Sequence, residues 1–338
     1  MLSIIICSKY STLNPAFVQN ISETVGTDYE IVHIDNSQQR YNIFEAYNIG
    51  VGQAKGDKLC LMHEDIVFHS NGWGKVVERY LSDDKVGALG VAGGHVITDR
   101  LDWRFYGFGK MYLIQGTTTI EESPQYYTFY RPITDGSEEA IIQVAAIDGV
   151  WMCFRKDIFQ EIHFDDHTFH DFHLYDSDIS MQVNMTGHGV YITSEILLEH
   201  QSEGTFTDGY REALKAFAEK WKGKFPVIKG IEVTQQQIDE ALNNAQSYFD
   251  SRLRHDAVVI GLRQLFAKRR KGLPTREYTA EEIKLMDESL YQCCRISFKY
   301  KQLSFRESLK LLRHYLQIPF AQRKALLTRK FIWYRLLR

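Results

Sequence analysis

No stretch of this 338-residue chain stays apolar for the roughly 20 residues that a bilayer-crossing helix needs, so any membrane contact must be peripheral. The N-terminal run Leu2 to Cys7 is too short for a secretory signal core and has no basic flank. Cysteine is scarce: Cys7, Cys60, Cys153, Cys293 and Cys294 make an odd set of five, and none has the spacing of a zinc site. That sets aside a disulfide scaffold, and reduced, buried thiols in a cytoplasmic protein are expected. Positive charge is not in excess. The formal net charge is -3, so the chain as a whole has no nucleic-acid footprint. Two phosphate-binding signatures are also missing. No Gly-x-Gly-x-x-Gly follows the first strand pattern, and no Gly-Lys-Ser/Thr loop occurs, which argues against dinucleotide oxidoreductases and phosphate-loop NTPases. Repeats and low-complexity tracts are absent as well.

What is present is alternation. Short β-branched runs at Leu2–Cys7, Tyr29–Ile34, Lys58–Met62 and Val86–Val91 read as buried strands. Between them lie helical patterns from Pro15, over 42–54 and over 71–81. Strand and helix at this spacing predict a parallel sheet with helices on both faces. Residues 98–145 are aromatic and irregular and read as an insertion of short strands and loops over the sheet edge. Regularity returns at Ile147–Phe154, in a helix over 176–186, in a strand at Val190–Ile192, and in an amphipathic helix over 207–222. In that last helix Tyr210, Leu214, Phe217 and Trp221 share one face. From about residue 235 the pattern is helical only, which suggests one domain over 1–228 and a helical region over 229–338.

Ligands of such sheets bind at the carboxyl ends of the strands. Three polar clusters fall there: Ser8-Lys9, Asp35-Asn36-Ser37 and His63-Glu64-Asp65. The last carries metal-capable groups directly after a buried strand, and one or two carboxylates suffice to hold a divalent cation against phosphates. A solvated loop or an acid-capped helix start accounts for the same residues equally well. Asp35-Asn36-Ser37 is also good turn chemistry. Asp176 and Asp178 begin a helix, where capping competes with a general-base role. The His163, His167, His170 and His173 segment has no metalloprotease spacing and reads as a surface or pocket-lining loop.

Singly these signals are ambiguous; their order is distinctive. Ser3-Ile4-Ile5-Ile6-Cys7-Ser8, Asp35-Asn36-Ser37, Asn48-Ile49-Gly50 with Ala54-Lys55-Gly56-Asp57, and His63-Glu64-Asp65 follow one another. Asp148-Gly149 with Phe154-Arg155-Lys156, then Tyr175-Asp176-Ser177-Asp178 before Gly187, then Leu198-Glu199-His200 complete the series. Over about residues 1–225 it resembles the family-2 glycosyltransferases of the GT-A fold, most closely the bacterial branch of capsule and surface-polysaccharide synthesis. The resemblance implies an α/β fold with a mixed, mostly parallel sheet flanked by helices, followed by the helical C-terminal region. It also implies a nucleotide-diphosphate sugar donor, UDP-linked by preference, and inverting transfer to a hydroxyl of a glycan or lipid-linked glycan.

The family's roles then fall on particular residues. Ser8, Asp35, Asn48 and Asp65 would hold the nucleotide. Asp65, His63 and His200 would bind Mn²⁺ or Mg²⁺, and Asp176 would be the catalytic base. Asp148, Gly149, Trp151 and Asp178 would line the donor and acceptor pocket. Within this pattern His63 stands where the family has the first acid of its metal motif. Tyr47 stands where an arginine is often found, and Tyr175 where a glutamate precedes the base.

Charge is divided unevenly. Residues 251–338 balance to +14 and residues 1–250 to -17. Lys268-Arg269-Arg270-Lys271 and the terminal run with Phe331, Trp333 and Tyr334 suit an anionic membrane surface, on the inner face for a cytoplasmic protein. A homo-oligomeric or partner-docking helical unit suits them equally. Two other functions share much of the pattern: a non-catalytic nucleotide- or glycan-binding module, and a sugar nucleotidyltransferase. Cys7-Ser8-Lys9-Tyr10 is a poor version of the loop a nucleotidyltransferase needs.

Overall fold

The computed structural model describes residues 1–105, 108–117, 125–128, 139–202, 204 and 208–246. The basic segment 251–338, with Cys293 and Cys294, lies outside the described residues, as do the membrane and oligomer expectations that rest on it. The chain divides into two compact units. The first comprises Met1–Gly116, Tyr126–Glu203 and Asp208–Phe249, and it holds every side chain of the site described below.

The strands are β1 Leu2–Ser8, β2 Tyr29–Asp35, β3 Lys58–Met62, β4 Ile66–Phe68, β5 Val86–Gly90, β6 Ala92–Gly94, β7 Val96–Ile97 and β8 Gly109–Met111. They continue as β9 Leu113–Thr117, β10 Gln125–Thr128, β11 Ile141–Val144, β12 Ala146–Ile147, β13 Trp151–Arg155, β14 Gly189–Thr193, β15 Leu198–His200 and β16 Val227–Ile228. The helices are α1 Pro15–Thr24, α2 Ile43–Gln53, α3 Trp73–Tyr80, α4 Tyr175–Met185, α5 Asp208–Lys220 and α6 over 235–246.

Seven strands form the central sheet in the order β11-β14-β5-β13-β3-β1-β2. β2, β1 and β3 run parallel, as do β5 and β14, while β13 and β11 are antiparallel to their neighbours. This is the mixed, mostly parallel α/β architecture that the resemblance implies. Its centre is dry: Leu2, Ile4, Ile5, Ile6, Leu59, Leu61, Met152 and Phe154 are fully buried. Each such side chain contributes about 1.5–3 kcal/mol relative to exposure. Cys60 and Cys153 face each other across β3 and β13 as free thiols.

Local signals set the helix boundaries. Asn14 caps α1, with Pro15 in its first turn. Asn42 and Glu45 form a reciprocal capping box on α2. α4 ends at Gly187, whose φ of 88° suits glycine. Its start differs from expectation. The first helical residue is Tyr175, preceded by Leu174 at φ 63°, and no side chain caps it. A left-handed leucine is uncommon and costs about 1–2 kcal/mol. It sits two residues before Asp176, which the resemblance designates as base.

The aromatic insertion is partly strand. β6, β8 and β12 form one small sheet, and β10-β9-β15-β4 forms another. The second of these brings the ends of distant segments together over the carboxyl edge of β3.

Candidate active site

β3 ends at Met62, and the backbone N–H of His63 still donates to the Val150 carbonyl at 3.1 Å. The chain then passes Glu64 and Asp65 and enters β4. There β15 pairs antiparallel, with His200 opposite Ile66, and the N–H of Gln201 donates to the Asp65 carbonyl at 2.9 Å. Residues 63, 65 and 200 thereby share one place. His63 Nδ1 lies 3.4 Å from His200 Nε2 and 3.9 Å from Asp65 Oδ1, and His200 Nε2 lies 3.5 Å from Asp65 Oδ1. A circle through three atoms so spaced has a radius of about 2.1 Å, the distance at which imidazole nitrogen and carboxylate oxygen ligate a first-row divalent ion. The three atoms therefore fit such an ion.

The electrostatics agree with that fit. Burial, then the neighbouring His200, depress the His63 imidazole and favour its neutral, ligating form. Burial opposes ionisation of Asp65. The hydrogen bonds and charge that His200, His63 and Ser202 supply outweigh it and hold the carboxyl well below the usual range. Among the described residues, this is the set that brings three metal-capable atoms within 4.8 Å of one another. The histidines of 163–173 do not join it.

Beside it is a second charged cluster. Arg104, on a short 3₁₀ turn at Trp103–Phe105, pairs with three carboxylates. It contacts Asp102 and Asp176 closely and reaches Asp148 Oδ2 at 3.1 and 3.2 Å. Asp176 Oδ2 also accepts from the Gly149 N–H at 2.9 Å, and Oδ1 from the Ser177 N–H at 2.8 Å. One guanidinium against two buried acids and a half-buried third leaves excess negative charge. Burial and the neighbouring carboxylates outweigh Arg104 at Asp102, which is pushed up to about 6. At Asp148 the pull of Arg104 wins over burial, and its carboxyl titrates low. The two clusters meet at Tyr175, whose hydroxyl lies 2.8 Å from His63 Nε2 and which immediately precedes Asp176.

The remaining sequence candidates are distributed as follows. Ser8 and Asp35 are register partners at the carboxyl ends of β1 and β2. Ser8 is buried and its hydroxyl bonds Glu64, while Asp35 is exposed and accepts from the Ser37 N–H at 2.9 Å, the turn geometry expected of it. Asn48 braces the backbone of Phe164 through two hydrogen bonds, at 2.7 and 3.0 Å. Gly149 is required by packing, since a Cβ there would fall 2.1 Å from the Tyr175 hydroxyl oxygen. Trp151 is fully buried, edge-on to Trp73 and Phe68, so it belongs to the core beneath the site rather than to a pocket wall.

Asp178 is a further correction. It neither caps α4 nor lines a cleft: it is fully buried and accepts from Lys220, Trp221 and Gln182, each at 2.8 or 2.9 Å. Its neighbours show why, because α5 presents Lys220 to α4. Sequence reasoning missed Arg104, Gln115 and Ser202. Arg104 adjoins Trp103 in a stretch without period, and nothing local ties it to an acid far along the chain. A cavity of about 770 Å³, lined in part by Lys55, Lys58, Arg155 and Lys156, opens at the opposite edge of the sheet. It carries none of the metal-capable set.

The carboxyl edge of the mixed α/β sheet thus carries a carboxylate–imidazole cluster beside a buried acid. The Glycosyltransferase like family matches residues 3–221, and the chain belongs to that family. No curated protein matches it. Among solved structures, the chain is similar to GalNAc-T7 with UDP, GalNAc and Mn²⁺, at 10% identity and a TM-score of 0.42, covering 65% of this chain and 48% of that one. It thus spans about half the length of that relative. It is also similar to S. aureus TarS 1-349 in complex with UDP-GlcNAc, at 11% identity and a TM-score of 0.42, covering 100% of this chain and 92% of that one.

Proposed function

We propose that this glycosyltransferase moves a sugar from a UDP-sugar to a hydroxyl of a glycan or lipid-linked glycan in surface-polysaccharide synthesis, inverting the anomeric carbon. The observation that carries the reading is the meeting of His63, Asp65 and His200 at the end of β3, next to Asp176 on α4. His63, Asp65 and His200 would hold Mn²⁺ or Mg²⁺. A cation bound there supplies charge stabilisation for the departing diphosphate. Ser8 and Asp35, side by side at the sheet edge, would face the nucleoside. Asp176 takes the proton of the attacking hydroxyl. Arg104 and the Gly149 N–H fix the direction of its carboxylate, and Asp148 shares Arg104 with it.

The test is calorimetry with UDP in the presence and absence of Mn²⁺, followed by a thermal-shift panel of nucleotide sugars. Failure of every nucleotide to bind would overturn the reading. One observation favours a second reading. The side chain of Asp176 is only 4% exposed and fully engaged by donors, as in a module that binds nucleotide or glycan without turnover. Nucleotide binding without product in a single-turnover assay would select that module.

Among the described residues no helix is long and apolar enough to cross a membrane. For the basic segment beyond residue 250 we propose peripheral contact with an anionic cytoplasmic membrane face, with homo-oligomerisation as the competing use. Co-sedimentation of the full chain with anionic vesicles, before and after neutralising Lys268, Arg269, Arg270 and Lys271, separates the two. Unchanged vesicle binding would remove the membrane role from that cluster.

A further inference from the structure

Each member of the His63–Asp65–His200 set has a second partner on the side away from the others, and together these partners fix which atom of each is turned inward. Gln115 settles His200. Its amide nitrogen donates to the carbonyls of Gly116 and Ser202, both at 2.7 Å, so its oxygen must be the atom facing His200 Nδ1 at 3.3 Å. An amide oxygen only accepts. His200 Nδ1 therefore carries a proton, and Nε2, turned toward Asp65, is the nitrogen that faces the site. At Asp65, Ser202 donates to Oδ2 at 2.5 Å and leaves Oδ1 free. At His63, Nε2 faces the Tyr175 hydroxyl at 2.8 Å, and Nδ1 faces the other two.

Two imidazole nitrogens and a carboxylate oxygen thus converge within 4 Å, a mixed nitrogen and oxygen donor set. We propose that Tyr175, Gln115 and Ser202 form an outer ring that pre-sets a two-nitrogen, one-oxygen site, and that this site takes a transition-metal ion in preference to Mg²⁺. Mg²⁺ seeks oxygen donors, whereas imidazole suits Co²⁺ and Zn²⁺. Tyr175 and Gln115 are positioning residues. They act through the two histidines, as outer partners of metal-bound histidines do elsewhere, where their loss costs about 10–100-fold in metal affinity. The inference rests on the metal-binding part of the proposed function, and it commits that part to one class of ion.

Titration of the full-length chain with Co²⁺, Mn²⁺ and Mg²⁺, without nucleotide, tests it. Co²⁺ reports through its visible spectrum and Mn²⁺ through loss of the free-ion EPR signal. Co²⁺ binding at least 100-fold tighter than Mg²⁺ is expected. Tyr175→Phe keeps the ring that packs edge-on against Tyr47 and Phe44. It should weaken Co²⁺ binding 10–100-fold with an altered visible spectrum. In a His63→Ala background the same change should do nothing more, because its effect passes through His63 alone. Gln115→Leu should weaken binding independently of Tyr175→Phe. Wild-type affinity in Tyr175→Phe, or a further loss in the His63→Ala background, would overturn the positioning role and leave the transferase reading standing. A wild-type chain with Mg²⁺ equal to Co²⁺, or with no ion bound, would overturn the inference. Nucleotide binding measured separately then decides the fate of the transferase reading.

Discussion

Lys220→Met isolates what holds α5 to α4. In the native protein Lys220 Nζ lies 2.8 Å from Asp178 and 2.7 Å from Asp165, and it rests over the rings of Phe169 and Trp221. Asp178 is completely buried and the Lys220 side chain is 21% exposed. Methionine keeps most of the volume and removes the charge, leaving Asp178 with the Trp221 indole and the Gln182 amide as its donors. Breaking a buried pair in this way costs about 3–5 kcal/mol. Because two neutral donors remain and Lys220 keeps some water, the lower end applies, about 3 kcal/mol. That is a large share of a total of about 5–15 kcal/mol.

Urea unfolding followed by tryptophan fluorescence should show the loss, and Asp178→Asn in the same background should recover at least half of it. The pH dependence has a definite sign. Burial raises the Asp178 pKa even with Lys220 present, so its penalty is complete above the folded value and vanishes below the unfolded one. The deficit of Lys220→Met should therefore narrow as the pH falls through the raised Asp178 pKa. A cost below about 1 kcal/mol at pH 7, or a deficit that widens in acid, would refute a buried ion pair here. Loss of nucleotide affinity without loss of stability would return Asp178 to the binding pocket.

Other expectations follow from single residues. Asp176→Asn preserves shape and should lower turnover strongly while leaving UDP affinity within about twofold, since Asp176 touches Arg104 and backbone amides only; near-normal turnover excludes it as base. Gly149→Ala places a methyl group inside the Tyr175 ring and should cost about 1–3 kcal/mol of stability, and weaken metal binding through the displaced hydroxyl, read by thermal melting and ion titration. Burial pushes the Cys7 thiol up to about 11, so at pH 8 its alkylation, followed by peptide mass spectrometry, should be about a hundredfold slower in the native protein than in urea.

The parallel half of the sheet was legible because β1, β2 and β3 are short apolar runs separated by helix-length segments, and that spacing forces parallel crossovers. The direction of β13 was not legible. Its apolar run reads the same either way, and residues 98–145, which precede it, have no period. The same stretch supplies Arg104 and Gln115. The meeting of His200 with His63 and Asp65 depends on β4 and β15, three residues each, too short to leave a pattern. Asp178 was misplaced for a related reason. A carboxylate in the first turn of a helix looks identical whether it caps, binds or pairs, and only Lys220, 42 residues later, settles which.

The three positions at which the chain departs from its family's pattern are scattered in sequence and contiguous in space. The Tyr175 hydroxyl bonds His63, and its ring meets Tyr47 edge-on at 5.7 Å. All three places lack the charge that the pattern supplies there. Tyr47 is 1% exposed, so an arginine in its place would be a buried cation needing an anion beside it. A glutamate at 175 and an acid at 63 would be its natural counterions, and either one alone would be a buried anion without a partner. The three departures therefore meet in one place, where a tyrosine–histidine hydrogen bond and an aromatic contact stand in positions for which the resemblance implies charge.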